Sequence, residues 1–255
     1  MSSDVVDLRD FYASALGQAA RRQILRRIGE MWPDMAQQRV LGLGYATPYM
    51  RPWIGEAERV LAMMPARQGV LAWPPDDANR VALVDEAELP LPDLSVDRVL
   101  LVHALEHAEQ LRPFLREVWR VLAGGGRLLI VAPNRRGLWA RFERTPFGHG
   151  LPYTSGQLSR MLRDHLFTPQ GTRAALFTPP FASRLWLGST GAWERLGERW
   201  FQRFGGVVLT EASKQLYAPT AVRAVPRGRT LPVPAAQTVP MQRAERAVSP
   251  ADGSE

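Results

Sequence analysis

The sequence lacks cysteine altogether, which excludes disulfide bonds, thiolate zinc sites and a cysteine nucleophile. It is also poor in lysine: of its 32 basic residues only Lys214 is a lysine, so arginine carries the positive charge. No apolar run approaches the roughly 18 residues that span a bilayer, and the first ten residues are too polar for a secretory signal. We therefore expect a cytoplasmic globular protein whose hydrophobic core alone holds it together.

Positive charge is concentrated in one segment. Residues 112–173 contain 11 arginines and three acidic residues, within a chain of formal net charge +7. Such a segment attracts anionic partners, so an RNA-binding protein or RNA methyltransferase is one hypothesis for the function. The alternative is that arginine serves only as the solubilising cation, because no aromatic RNA-binding signature accompanies the charge.

Residues 95–134 predict a strand, a helix and a second strand. Apolar residues recur at i, i+3, i+4, i+7 and i+11 over residues 111–122, which indicates a helix between the apolar runs 99–102 and 128–132. The glycines at 124–126 predict a left-handed cap that ends the helix and a tight reversal of the chain. Neither strand alternates polar with apolar residues, which is typical of a parallel strand covered on both faces.

The carboxyl ends of parallel strands meet at one edge of a sheet, where ligands bind. His103 and His107 follow the first of these strands, and we predict that one of them acts as a general base or lines the site. Capping of the following helix is the alternative role. Their spacing of four, with Glu106 adjacent, is compatible with a metal pair, but no third ligand is evident and we predict no metal.

The same stretch strongly resembles the second half of a class I S-adenosylmethionine-dependent methyltransferase of the type 11 kind. That family carries an acid, LPF, SFD, a strand, a helix ending in RVLKPGG, and a strand. The matching pieces are Asp85, LPL at 89–91, SVD at 95–97 and RVLAGGGRLLIVAPN at 120–134. The resemblance extends over residues 37–135, and the combined order and spacing are specific although each piece alone is weak.

The resemblance implies a Rossmann-like α/β fold: a seven-stranded sheet with helices on both faces and an antiparallel final strand pair. Residues 1–36 would form an N-terminal helical cap, with one or two helices over 7–32 and Gly17 as the candidate break. Residues 37–218 would form the methyltransferase-like domain. Residues 219–255 are rich in proline and arginine, which predicts a disordered tail.

The resemblance also implies S-adenosyl-L-methionine as cofactor. The segment RVLGLGYATPYM follows the course of the family's first motif, so Gly42, Gly44, Tyr45 and Ala46 are the candidate residues at the methionine part of the cofactor. The resemblance also places the turn at His103 beside the sulfonium of the cofactor, which makes His103 a further cofactor-binding candidate. This chain departs from the motif, because the family has an acid at Gly42 and glycines at Ala46 and Pro48. Thr47 before Pro48 still predicts a capped helix start, so the strand-loop-helix geometry is expected to survive.

Two further positions concern the adenosine part of the cofactor. Met63 lies at the end of the predicted second strand, 58–64, where the family carries an acid for the ribose hydroxyls. Losing that acceptor is expected to weaken binding by about 1–3 kcal/mol. Asp85 matches the acid that accepts from the adenine amino group, and the backbone of Glu86 would contact the ring. The alternative is that Asp85 only forms a turn.

The loop after the fifth strand is rich in glycine, proline and aromatic residues, and in this superfamily that region selects the substrate. Its candidate substrate-binding residues are Arg135, Arg136, His149 and Tyr153. Thr154 and Ser155 then predict the cap of a helix over 156–164, followed by strands at 173–177 and 206–211. Between these strands, Trp193, Trp200 and Phe204 share an apolar stripe, which we expect to pack on the domain; a partner contact is the alternative.

Three functional hypotheses follow. The first is a methyltransferase with an unknown acceptor, because methyl transfer depends on positioning and desolvation and requires no catalytic triad. The second is a catalytically silent methyltransferase-like binding or scaffold protein, since the departures from the family are confined to cofactor recognition. The third is the RNA-directed function that the arginine-rich segment suggests.

Overall fold

A computed structural model describes residues 4–180 and 204–215 of the chain. The strands within these residues are β1 (Arg39–Gly44), β2 (Arg59–Pro65), β3 (Val81–Val84), β4 (Val96–Val102), β5 (Leu122–Pro133), β6 (Phe167–Ala175) and β7 (Val207–Lys214). The α-helices are α1 (Val5–Ala13), α2 (Ala15–Met31), α3 (Thr47–Met50), α4 (Leu111–Val121) and α5 (Ser155–Asp164).

All seven strands form one sheet in the order β3-β2-β1-β4-β5-β7-β6. The neighbours from β3 to β5 pair in parallel, whereas β7 pairs antiparallel with both β5 and β6. The chain moves outward from β1 to β3 and then crosses back to place β4 beside β1. A crevice opens at the carboxyl ends of strands where the order reverses in this way. The predicted Rossmann-like sheet with an antiparallel end is confirmed.

Helices cover both faces of the sheet. On one face, Leu8 of α1 and Ile24 and Ile28 of α2 are completely buried against the strands. On the other face, Phe114 of α4 and Leu158 of α5 are equally buried. The central strands supply apolar residues to both clusters, which is why their sequences do not alternate.

The prediction of a glycine cap at 124–126 is wrong. Helix α4 ends at Val121, and the next residue, Leu122, is already extended and begins β5, whose course includes all three glycines. Only Gly125 has a positive φ, +82°. The pairing of β4 with β5 shifts register opposite these residues, so the glycines form an irregular stretch of strand instead of a turn.

The break between the N-terminal helices lies at Ser14 and not at the predicted Gly17. Ser14 is extended, and its hydroxyl accepts from the backbone N–H of Gly17, which caps the start of α2. Gly17 itself is required for close approach, because a Cβ there would overlap the carbonyl oxygen of Phe11. The two helices are therefore separate elements joined at one residue.

The connections around β2 contain little helix. Helix α3 is a single turn, and Thr47 is its first residue instead of its N-cap, with no side-chain capping bond. Residues 66–80 link β2 to β3 without a helix. The predicted capped helix after β1 is thus reduced to one turn.

The predicted cap of α5 is confirmed, because Thr154 and Gln157 form a reciprocal capping box. Trp193, Trp200 and the tail at 219–255 lie outside the described residues, whereas Phe204 is described and exposed. Within residues 4–180 and 204–215, no helix combines the length and the hydropathy required to cross a bilayer.

Replacing Gly44 by alanine tests the joint between β1 and β4. Gly44 has φ +77°, and a Cβ there would overlap the carbonyl oxygen of Val102. We expect Gly44→Ala to lower the free energy of unfolding by about 1–3 kcal/mol, measured by urea denaturation. The matched control is Gly29→Ala in α2, where a Cβ meets nothing within 4 Å and the change should stabilise by about 0.5–1 kcal/mol. Equal effects of the two substitutions would contradict this geometry.

Candidate functional site

The loop that follows β1 turns directly onto the end of β4. Gly44 makes this possible with its left-handed backbone, and the N–H of Tyr45 donates to the carbonyl oxygen of Val102 at 2.8 Å. The carboxyl ends of β1 and β4 are therefore closely joined. The candidate residues Gly44, Tyr45 and His103 meet at this joint.

Apolar side chains fill the two places where the family carries acids. A Cβ on Gly42 would lie 2.5 Å from both Sδ and Cε of Met50 and 2.8 Å from Cβ of Ala46. A carboxylate side chain at position 42 would thus require the end of the Met50 side chain to move. Met63, at the end of β2, is buried in the core beside Leu43. Both departures from the motif are built into the packing of the core.

A buried histidine and a buried carboxylate lie at the end of β4. His103 follows the last residue of the strand with φ +50°, in the left-handed region that a side chain disfavours. Its Nδ1 lies 3.1 Å from Oε1 of Glu106, and both side chains are only 1% exposed. Its carbonyl oxygen accepts from Nε2 of Gln68 at 2.8 Å. His103 is therefore fixed by one hydrogen bond to its backbone carbonyl and another to its imidazole ring.

The other ring nitrogen of His103 faces helix α1. The hydroxyl of Tyr12 lies 2.8 Å from Nε2, and the hydroxyl of Tyr49 donates to the oxygen of Tyr12, also at 2.8 Å. Because a carboxylate can only accept, we assign the proton of the imidazole to Nδ1, facing Glu106, and the lone pair to Nε2. Tyr12 accordingly donates to Nε2. The chain of donors runs from Tyr49 through Tyr12 and His103 to Glu106.

Aromatic rings enclose the phenol of Tyr12. The ring of Tyr45 stacks on it with centroids 5.6 Å apart and planes 17° from parallel, and Tyr49 meets it edge-on at 6.0 Å. Phe147 packs against the imidazole of His103 at 4.9 Å. Burial raises the pKa of Tyr12 well above its usual value of 10.0, and the neighbouring Tyr49 adds to the effect. Tyr12 therefore remains a neutral donor.

Two connected cavities lead away from this cluster. The larger, of about 250 Å³, lies at the carboxyl ends of β2 and β3 and is lined by Asp85, Glu86 and Gln110 among others. The smaller, of about 10 Å³, reaches His103 and His107. Both are lined by Pro65, Arg67 and Glu86, so the two cavities adjoin, and we refer to them together as the crevice, with its wide end at Asp85 and its narrow end at His103.

Three buried polar atoms near the narrow end of the crevice make no hydrogen bond within the described residues. Oε1 of Gln68, Oε2 of Glu106 and Nε2 of His107 have no hydrogen-bond partner among the described residues. Gln68 and His107 both line the small cavity. Burial lowers the pKa of His107, so it is neutral at pH 7. Unsatisfied acceptors beside a cavity of this kind are suited to a polar ligand or ordered water.

The acidic groups at the wide end differ in their surroundings. Oδ1 of Asp85 accepts from the backbone N–H of Ala87 at 2.8 Å, so this carboxylate also forms the turn that the sequence left as the alternative. Glu86 is half-buried, and burial raises the pKa of its carboxyl above the usual 4.5. Both residues line the larger cavity.

The loop after β5 contacts the wall of the crevice through its middle segment. The N–H of Leu151 donates to the carbonyl oxygen of Glu106 at 2.9 Å, and a Cβ on Gly150 would lie 3.0 Å from Cε1 of His107. His149 precedes this contact, and it makes a minor electrostatic contribution to the pKa of His107, which burial chiefly lowers. The structure thus places His149 near the histidines at the end of β4.

The remaining predicted substrate residues lie farther along the sheet edge. The N–H of Arg135 donates to the carbonyl oxygen of Tyr153, and the N–H of Tyr153 donates to that of Pro133. Arg136 lines a separate cavity of about 650 Å³, together with Thr154 at the start of α5 and other residues of β6 and β7. The four predicted residues are therefore divided between two regions.

Tyr12, Gln68 and Tyr49 did not emerge as site residues from the sequence. Tyr12 lies 91 positions from His103, and Gln68 lies 35 positions from it. Neither belongs to a motif, so no spacing pattern could associate them with the end of β4. The adjacent Phe11 and Tyr12 in a predicted helix are an ordinary core signal.

Comparison with known proteins supports the geometry. A family model described as a methyltransferase domain matches residues 41–130. A probable S-adenosylmethionine-dependent methyltransferase of Mycobacterium tuberculosis is 51% identical over 49 residues, which are 19% of this chain and 18% of that protein. The demethylmenaquinone methyltransferase of Thermus thermophilus is 28% identical over 109 residues, covering 42% and 49% of the two chains. The chain thus matches less than half the length of these relatives.

Solved structures share the fold over a longer stretch. An S-adenosylmethionine-dependent methyltransferase from Thermotoga maritima has a TM-score of 0.56 at 16% identity, over 81% of this chain and 94% of that one. The didemethyltoxoflavin N1-methyltransferase of Burkholderia thailandensis, solved with S-adenosylhomocysteine, has a TM-score of 0.51 at 17% identity over 82% of each chain. Residues 41–130 therefore match the methyltransferase domain family, and the chain shares the fold of these solved S-adenosylmethionine-dependent methyltransferases.

Proposed function

We propose that this chain is an S-adenosylmethionine-dependent methyltransferase. The observation that carries the proposal is the crevice at the carboxyl edge of the sheet, which leads from the acidic cavity at Asp85 to the buried pair of His103 and Glu106. The family match over residues 41–130 supports the same assignment. The mycobacterial relative is a probable methyltransferase without a named acceptor, whereas the Thermus relative is a demethylmenaquinone methyltransferase, so these relatives do not define one methyl acceptor.

The wide end of the crevice fits the adenosine half of the cofactor. Its cavity presents the carboxylates of Asp85 and Glu86, which are acceptors of the kind that an adenine amino group and ribose hydroxyls require. Asp85 retains a second carboxylate oxygen beyond the one that accepts from Ala87. We assign Asp85 and Glu86 to adenosine binding.

The narrow end fits the methionine half only after a rearrangement. Met50 and Ala46 cover Gly42, and Tyr12 lies against His103, so the space near β1 and β4 is small. The unsatisfied oxygens of Gln68 and Glu106 are acceptors suited to an ammonium group, and they would replace the acid that position 42 lacks. The contact with the ammonium group is thus assigned to Gln68 and Glu106 instead of to position 42.

When bound, S-adenosylmethionine supplies an electrophilic methyl group. The residues of this chain would then position the acceptor and hold its proton. Once Tyr12 has moved away, Nε2 of His103 offers the lone pair of a general base, and Glu106 stabilises the imidazolium that forms when the proton arrives. The enclosing rings of Tyr45 and Phe147 exclude water from the reacting atoms.

A catalytically silent module is the second candidate, favoured by the packing of Met50 over Gly42 and of Tyr12 against His103. In that case the crevice would bind no cofactor. An RNA acceptor and a protein partner at the Trp193 and Trp200 stripe remain predictions from the sequence, as does a cytoplasmic location.

Titration calorimetry with S-adenosylmethionine and S-adenosylhomocysteine tests the proposal. We expect both compounds to bind the full chain, and Asp85→Asn to weaken each about tenfold, since one hydrogen bond to a charged acceptor contributes ~1.5 kcal/mol or more. Asparagine keeps the oxygen that accepts from Ala87, so the turn survives. The matched control is Glu58→Gln, an exposed carboxylate just before β2 at the opposite edge of the sheet, which should leave the affinity unchanged.

Two outcomes contradict the assignment. If neither compound binds at millimolar concentration to the full chain or to a Tyr12→Ala variant, the silent module becomes the better account. If both compounds bind but Asp85→Asn and Glu58→Gln behave alike, the adenosine half lies elsewhere in the crevice.

The affinity for S-adenosylmethionine should also depend on pH through Glu86. Burial raises the pKa of this carboxyl, so it is protonated at a higher pH than an exposed glutamate. Its negative charge favours the cationic cofactor, and the affinity should therefore fall as the pH falls through this raised pKa. Calorimetric titrations between about pH 4 and 8 should show this decline in the wild-type chain and a flatter profile in Glu86→Gln. Identical profiles would exclude Glu86 from the site.

A further inference from the structure

The hydrogen bond between Tyr12 and His103 occupies the only lone pair that the buried imidazole can offer. Nδ1 donates to Glu106, and Nε2 accepts from the phenol of Tyr12 at 2.8 Å. No acceptor molecule can use His103 as a base while Tyr12 remains there. Chemistry at this site therefore requires the side chain of Tyr12 to leave.

Tyr12 also fills a space shaped for a planar ring. Tyr45 stacks against one side of its ring, and Tyr49 meets it edge-on while donating to the phenol oxygen. The site thus recognises three properties at once: a flat aromatic body, a hydroxyl that donates to Nε2, and an oxygen that accepts from Tyr49. A phenol has all three, whereas an amine cannot accept from Tyr49 once it is protonated and an aliphatic alcohol has no ring to stack.

The element that carries Tyr12 is a short helix that packs into the core through Val5, Leu8 and Tyr12. Helix α1 has only nine residues, a length that is not stable as a helix by itself. Its first N–H donates to the carbonyl oxygen of Gln68 at 2.7 Å, and its last residue is followed by the extended Ser14. Ser14 caps α2 independently, so α1 can turn away at this residue without breaking α2.

From these contacts we propose that Tyr12 is an internal occupant of the acceptor site, and that the acceptor which displaces it is an aromatic hydroxyl compound. The proposal rests on the methyltransferase function proposed above. When such a compound replaces Tyr12, its hydroxyl proton passes to Nε2 of His103, the electron pair stays on the phenolate oxygen, and Glu106 balances the charge of the imidazolium. Withdrawal of α1 also releases Gln68, which lines the narrow end of the crevice. Acceptor entry and opening of the crevice are thus coupled.

The test uses Tyr12→Ala, which empties the ring-shaped space and leaves His103 and Glu106 in place. The probe is p-cresol, which reproduces the tyrosine side chain, and toluene is the control that has the ring without the hydroxyl. We expect p-cresol to bind Tyr12→Ala at least tenfold more tightly than toluene, because an unpaired Nε2 and Tyr49 hydroxyl remain when the hydroxyl is missing. The ¹⁵N resonance of Nε2 of His103 should shift with p-cresol only. Tyr12→Phe, whose ring still fills the space, should bind neither compound.

The wild-type chain provides a second measurement that does not depend on the variant folding. Arg9 lies in α1 with an exposed side chain, so release of α1 should make it a better site for trypsin. We expect p-cresol to accelerate cleavage after Arg9 severalfold, and toluene at the same concentration to have no effect.

Each outcome bears on a separate proposal. Equal binding of p-cresol and toluene to Tyr12→Ala, or binding of neither, would overturn the assignment of an aromatic hydroxyl acceptor. Unchanged cleavage after Arg9 would show that p-cresol does not displace Tyr12. Binding of S-adenosylmethionine without p-cresol overturns only the acceptor class. Binding of p-cresol without S-adenosylmethionine, in both the full chain and Tyr12→Ala, would instead overturn the methyltransferase function.

Discussion

The buried carboxylate of Glu106 determines where the protons lie around it. A carboxylate accepts only, so Nδ1 of His103 must donate to it and Nε2 must accept from something else. An unsatisfied acceptor at such depth would be costly, and the phenol of Tyr12 removes that cost. The docking of α1 combines this arrangement with the burial of Leu8 and the stacking of Tyr12 on Tyr45.

The sheet could be predicted well from the sequence. Its strands correspond to local apolar runs, and the order of the strands follows from the handedness of parallel crossovers. The cap of α5 was equally local, since Thr154 and Gln157 have the spacing of a capping box. The prediction of a helix cap at the glycines 124–126 is wrong because a glycine run is equally compatible with a helix cap and with an irregular strand. The choice depended on pairing with β4, which no local pattern encodes.

The site was only partly predictable for a related reason. His103 and Asp85 follow strands, so topology alone brings them to the same edge. Tyr12 reaches the site from an N-terminal helix and Gln68 from an irregular loop, and nothing in their spacing connects either to β4. The departure at Gly42 was visible in the sequence, but the position of Met50 over it was not. The position of Met50 over Gly42 follows from the single turn of α3, which is shorter than the sequence predicts.

The packing of Tyr12 against His103 is accompanied by two energetic costs. His103 has a left-handed φ of +50°, at a cost of order 1 kcal/mol or more. It also keeps a buried carboxylate with one oxygen unsatisfied. An apolar pair at positions 103 and 106 would remove both costs. In the proposal made above, both costs belong to a site that Tyr12 holds closed, while the acidic cavity at Asp85 remains open beside it.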